Sequence, residues 1–193
     1  MKKTIAKILI LFMAAPFFVS CGYNKMVKLD ENVKAQWAQV QSVYQRRSDL
    51  IPNLVATVKG VANFEQSTLT AVIEARANAT KVNIDASKLT PETFQQFQQA
   101  QNGLSSALSR LMVVSEQYPE LKATQNFSEL QTQLESTENR ITVERQKFND
   151  ATREYNTFIR GFIQRMWANM FDFKEKPYFE AVAGSEKAPE VKF

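Results

Sequence analysis

From Met26 onward, apolar residues recur every three or four positions: Met26, Leu29, Val33, Trp37, Val40 and Tyr44, then Arg47, then Ile51, Leu54, Val58 and Val61. This is the one-sided pattern of a packed α-helix. Leu69, Val72, Ile73 and Ala79 continue the stripe past a break near Asn63. Pro52 falls within it. A proline there cannot donate to the Ser48 carbonyl and crowds it. Yet the stripe keeps its phase, and residues 50–55 are too apolar for an exposed loop. The pattern favours a helix kinked at Pro52 over a turn.

The polar, unpatterned stretch 82–90 reads as a linker. Thr90-Pro91-Glu92 has the order of a helix start: a cap, a rigid first turn, and an acid at the positive end of the dipole. Behind it run Phe94, Phe97, Gln101, Leu104, Leu108, Leu111, Ser115 and Tyr118, and Pro119 ends the helix. Asn126 with Glu129 resembles a capping box. The last stripe carries Leu130, Leu134, Glu138, Ile141, Arg145, Phe148, Thr152, Tyr155, Ile159, Phe162 and Met166. From Glu138 its steps alternate three and four, the spacing of left-handed coiled packing. It should fade near 167–173. Residues 174–193, with Pro177, Gly184 and Pro189, read as an irregular tail.

Each stripe can be buried only against the others. The expected fold is all-α: an elongated antiparallel bundle of three to four long helices over 26–173, the first kinked at Pro52. A helix from 24 to 62 would be about 58 Å long.

The first 25 residues follow another rule. Lys2, Lys3 and Lys7 precede an apolar run, 8–19, interrupted only by Pro16. A basic start with a short apolar core is a secretory signal, and the run is short of the roughly 20 residues a spanning helix needs. It ends in Phe18-Val19-Ser20-Cys21-Gly22, which resembles the bacterial lipobox with Phe18 in place of the preferred leucine. The expectation is a cleaved signal peptide at 1–20, lipid on Cys21, and a short tether at 21–25. The alternative is an ordinary or uncleaved signal with an incidental cysteine. The thiolate is the nucleophile that takes the lipid, and stable anchoring requires two or more chains. Gly22, where aspartate retains lipoproteins at the inner membrane of some bacteria, points to an outer membrane in cells that have one.

Losing the signal lowers the formal charge from +4 to +1, and no basic patch argues for nucleic acid. Cys21 is the single cysteine, so packing alone must hold the chain.

Tyr23-Asn24-Lys25-Met26-Val27, Trp37, and Arg46-Arg47-Ser48-Asp49-Leu50-Ile51-Pro52-Asn53-Leu54-Val55 resemble the LemA family. So do Tyr118-Pro119-Glu120-Leu121-Lys122, Glu138-Asn139-Arg140-Ile141 and Tyr155-Asn156. The resemblance covers 23–180 and implies a membrane-anchored protein of long antiparallel helices with most of its mass outside the membrane. Two departures stand out. Many members look anchored by an N-terminal membrane helix, not a lipobox. Phe148-Asn149 stands where the family favours Tyr-Asn, so no role for a hydroxyl carries over there.

With no histidine, Ser-His-Asp and Cys-His catalysis are removed, as are the Glu-x-x-His ligands of di-iron bundles. No Cys/His cluster suits zinc, and no Gly-rich loop suits phosphate. Acid pairs such as Asp30-Glu31 are more simply dipole partners, and serines lack an obvious base short of a Ser–Lys arrangement. No catalytic, cofactor or metal site is expected. Trp37, Phe94, Phe97, Phe148 and Tyr155 fit core positions. The cluster Trp167, Phe171, Phe173, Tyr178 and Phe179 either covers the bundle end or touches the bilayer, if that end lies near Cys21.

The polar members of the stripes are the remaining candidates. A buried unpaired charge costs several kcal/mol, so it must be paired or reach water. Arg47, Asp49, Asn53, Glu138, Asn139 and Arg145 are expected in one or two networks that fix helix register, with Asp49 a candidate partner for Arg145. Two alternatives stay open: solvated heads at the edge of a wide stripe, and a polar binding site near Pro52. The function expected is a lipid-anchored module, facing the extracytoplasmic side, that binds or scaffolds another envelope protein. An enzyme or enzyme subunit of unfamiliar type is the other class.

Overall fold

A computed structural model describes residues 2–61 and 64–180, with side chains from Gly22 onward. The signal-peptide and Cys21 expectations rest on side chains outside the described residues. So do the break at Asn63 and the tail residues Gly184 and Pro189. Among the described residues there are six α-helices, one 3-10 turn and no strand.

Helix α1 (Lys2–Lys59) runs without interruption through residue 52, so the turn alternative falls. The missing N–H of Pro52 leaves the Ser48 carbonyl without its helical donor. Arg76 Nε, from α2 (Gln66–Lys81), donates to that carbonyl at 2.9 Å. A second chain segment thus satisfies the group that the proline orphans. The tether expected at 21–25 is helical and belongs to α1.

Past a 3-10 turn (Ala86–Lys88), α3 (Pro91–Ser115) starts as expected. Thr90 accepts from the Thr93 N–H at 3.3 Å, and Thr93 answers with its hydroxyl. A single turn, α4 (Pro119–Lys122), leads into α5 (Gln125–Ile159), and α6 (Phe162–Met170) closes the helical part. Lys25 lies over the Phe158 ring, Trp37 on Phe148, and Arg47 on Glu138. α1 and α5 therefore pack along each other in opposite directions. α2 and α3 do likewise, with Gln101 beside Ala79 and Arg110 near Glu65.

Two cores result. One gathers Met26 to Tyr44 of α1 with Phe94, Phe97, Ile141, Phe148, Tyr155 and Ile159. The other joins Ile51 to Val58 with Leu69, Val72, Leu104, Leu111, Phe127 and Leu134. Burying each large apolar side chain contributes about 1.5–3 kcal/mol.

Several expectations are corrected. α5 stops at Ile159, because Gly161 is extended at φ −56°, ψ 149° and redirects the chain. Phe162 and Met166, placed in the buried stripe by periodicity, are instead exposed. Thr124 precedes α5 and no side chain caps it, so Asn126 and Glu129 are interior helix residues, not a capping box. Ile73 is exposed because it lies about 100° around α2 from Val72, the middle of the buried face formed by Thr68, Leu69, Val72 and Ala79. The stretch 82–90 is more than a linker: Ile84 and Leu89 are buried in the first core. Residues 174–180 are irregular in backbone but lie docked on α5.

Candidate functional site

The first polar centre is Arg47, 2 % exposed. One turn of α1 beyond Tyr44, it points between α3 and α5. Nη1 donates to Ser105 Oγ at 2.8 Å and to Glu138 Oε2 at 2.9 Å. Nη2 donates to Gln101 Oε1 at 2.7 Å and to the Gln101 carbonyl at 3.3 Å. The guanidinium carbon sits 5.0 Å from the Tyr44 ring centroid, and Nε has no partner. Gln101 passes the network on, its Nε2 donating to the Ala79 carbonyl at the end of α2. One side chain thus ties α1 to α3 and α5, and through Gln101 to α2. Burial pushes the Tyr44 phenol above its ordinary pKa, against the pull of Arg145 and Arg47.

Of the six residues proposed for the network, only Arg47 and Glu138 meet. Helical phase explains the rest. Asp49 lies about 200° around α1 from Arg47, at 100° per residue, and accepts at 2.7 Å from Gln45. Asn53 is exposed, its carbonyl taking the Thr57 hydroxyl, and Asn139 is exposed one position round from Glu138. Arg145 shares the face of Glu138 but sits two turns along α5. There it packs 4.6 Å over the Phe179 ring and donates to the Glu180 carbonyl at 3.0 Å. The Asp49–Arg145 pair is therefore replaced by two separate contacts.

The second centre is the segment 174–180 on α5. Asn149 donates to the Phe179 carbonyl at 2.9 Å and accepts its N–H at 2.8 Å. Asn156 treats Lys176 in the same way, at 2.8 and 2.9 Å. Seven helical residues advance about 10.5 Å, and three extended residues cover about 10 Å. The two asparagines therefore match the pitch of an extended strand and read its backbone. Tyr155 donates to the Lys174 carbonyl at 2.9 Å. Lys176 pairs with Asp30 of α1 at 3.1 Å, both side chains largely buried. Phe179 is the anchor, 6 % exposed among Trp37, Phe94 and Phe148. Burial, with Asp30 adding to it, holds the Tyr155 phenol well above the usual tyrosine range.

These arrangements hold helices and backbone in place. Among the described residues, no group of three or more Cys, Asp or Glu converges as metal ligands would. An open polar groove runs between α1 and α5, lined by Lys25, Asn32, Gln36, Asp150, Arg153 and Glu154.

The LemA family model matches residues 36–193. The chain belongs to the LemA family. Magnetosome protein MamQ 2 of Paramagnetospirillum magneticum is 27 % identical, the match covering 82 % of this chain and 64 % of that protein. Magnetosome protein MamQ of Magnetospirillum gryphiswaldense is also 27 % identical, over 81 % and 64 %. Protein LemA of Metamycoplasma hominis is 24 % identical, over 86 % and 72 %. The chain thus spans 64 % of the length of the MamQ relatives it matches. None of these names states an enzymatic activity.

Sequence reasoning overlooked several residues that matter in this LemA-family chain. Gln101 was visible as a polar interruption in the α3 stripe, the same signal that marked Arg47. Asn149 and Asn156 follow aromatic residues at a seven-residue interval, Phe148-Asn149 and Tyr155-Asn156. That repeat places both amides along one edge of α5. Arg76 carried no local signal, because its role depends on a carbonyl 28 residues away in the chain.

Proposed function

We propose that this chain is a membrane-anchored module of the cell envelope, held by acyl chains on Cys21 on the extracytoplasmic side, that binds or scaffolds another envelope protein. The module is an elongated antiparallel bundle of three to four long helices over 26–173, following a cleaved signal at 1–20. Gly22 favours an outer membrane in cells that have one.

The observation that carries this reading is the continuity of α1 (Lys2–Lys59). A membrane attachment at residue 21 enters the packed helices with no loop between, so the lipid end and the body are mechanically one piece. From Tyr23 to Lys59 the helix rises about 55 Å, which sets its far end well clear of a headgroup layer. A bend at Pro52, held by Arg76, turns the outer part of that rod. No helix of the described residues is long and apolar enough to cross a membrane.

The groove between α1 and α5 is the candidate docking face. Photo-cross-linkers placed at Asn32 or Gln36 in intact cells should give discrete higher-mass adducts, absent when the cross-linker is at Val113, an exposed position of α3. Equal, diffuse labelling at all three positions would defeat the binding-module reading. The enzyme reading would gain only from converging carboxylates with strongly shifted pKa values. The shifted carboxylates Glu65, Asp85 and Glu92 are separate surface groups, each lowered chiefly by its own nearby hydrogen bonds.

A further inference from the structure

α6 is apolar on the wrong side for a helix that merely closes a bundle. Phe162 is 96 % exposed, Ile163 61 %, Met166 62 % and Met170 66 %. At 100° per residue these four fall within about a 100° arc, so they form one continuous outward face. The inner side of the helix is modest: Ala168 is buried and Trp167 half-buried against the first core. Single exposed apolar residues are ordinary, but a contiguous face of large ones marks an interaction surface.

Its place in the fold says what covers it. Tyr23 packs edge-on to Phe171, with centroids 4.8 Å apart, and touches Phe173 at 6.0 Å. The end of α6 therefore sits two residues from Cys21, beside the point where α1 leads back into the apolar run 8–19. Exposed cations lie next to the face: Arg165 on α6 itself, about 60° round the helix from Phe162, and Arg160 two residues before the helix begins. An apolar stripe flanked by basic residues is the composition of a helix lying in a bilayer interface. Long arginine side chains there lay their stems along apolar matter and keep their heads among phosphates.

We propose that α6 is a second membrane contact: a short amphipathic helix whose Phe162, Ile163, Met166 and Met170 side chains enter the same bilayer that holds the N-terminus. The inference rests on the anchored reading above. With two contacts, the lipid end and α6, the body cannot swivel freely about its anchor, so the α1–α5 groove is presented at a fixed attitude to the membrane.

The test uses the full chain, reconstituted by detergent removal into vesicles of phosphatidylcholine and phosphatidylglycerol with brominated acyl chains. A Met166→Trp, Trp167→Phe variant places an indole on the face. Trp37, fully buried, is the internal reference, and its unshifted emission checks the fold. Insertion to the roughly 5–10 Å of an interfacial helix brings the new indole against bromine. Its emission then falls at least about twofold, while aqueous iodide leaves it unaffected. A Val113→Trp, Trp167→Phe control should show the reverse. If the vesicles float with the protein but the position-166 indole is quenched by iodide and not by bromine, the α6 proposal is overturned and the anchor stands. Shielding from both quenchers means a protein surface or a second copy covers α6, which also overturns it. If the chain does not float with vesicles at all, the anchored reading itself fails.

Discussion

Replacing Arg47 with methionine removes the hub between α1, α3 and α5 while keeping a long unbranched side chain in the space. The cost divides unequally among its partners. The Glu138 side chain is 53 % exposed. When its cation leaves it returns to water, so the ion pair behaves much like a surface pair of about 1 kcal/mol or less. Gln101 is 6 % exposed and cannot do this. Its Oε1 loses its donor, an unsatisfied buried acceptor that costs about 1–3 kcal/mol. Removing the guanidinium also relieves the desolvation of the unpartnered Nε, and the methionine adds apolar contact. We expect Arg47→Met to lower stability by about 2 kcal/mol net, within the range of such losses. Adding Gln101→Leu should then recover about half or more of that; recovery is incomplete because the Ala79 carbonyl loses its donor. Adding Glu138→Gln should recover almost nothing. Urea unfolding followed by far-UV circular dichroism, with the slope unchanged between variants, measures all four chains. The reasoning is refuted if Glu138→Gln rescues as well as Gln101→Leu, or if Arg47→Met alone is neutral.

The Ser48 carbonyl makes Arg76 and Pro52 interdependent. Arg76→Ala should cost about 1–2 kcal/mol, and distinctly less in a Pro52→Ala background, where the new N–H serves that carbonyl; additive losses in a double-mutant cycle would contradict this. Asn149→Asp keeps the size of the side chain but cannot donate to the Phe179 carbonyl. Limited proteolysis should cut within 174–180 much faster in that variant, and in Asn156→Asp, than in the parent chain; equal rates would mean the amides do not hold the segment. Tyr155 is raised by burial and by Asp30, so the unfolded chain loses this proton first as the solution turns alkaline. Its contribution is complete below the unfolded tyrosine value of about 10 and is lost as pH rises above that. Unfolding midpoints between about pH 9 and 11 should fall more steeply for the parent chain than for Tyr155→Phe.

Much of the helical order was legible because burial imposes a period. Met26 through Val58 and Phe94 through Ser115 are spaced by the helix itself, and each stripe has a single face to hide. The same reasoning overran at Phe162 and Met166, which keep the stripe's spacing although Gly161 has already redirected the chain. Periodicity registers spacing, but it does not register a one-residue change of direction. Polar partners were legible only where they interrupt a stripe, as Arg47 and Gln101 do. Arg145 and Glu138 occupy one face, yet whether they share a network depends on what lies opposite two turns on. There it is Phe179, whose aromatic cluster marked it for the bundle end or the bilayer but not for this place on α5. Backbone acceptors leave no trace in composition at all, so the tasks of Arg76, Asn149 and Asn156 emerged only with the fold.

Attachment at Cys21 is the claim from which the stand-off of the helices and the attitude of α6 both follow. Mass spectrometry of the N-terminal peptide, released from the protein isolated from cell membranes, tests it in one step. The expected result is a chain that starts at Cys21 with a diacylglyceryl group on sulfur. A free Cys21 thiol, or a mature chain beginning at any other residue, would contradict it.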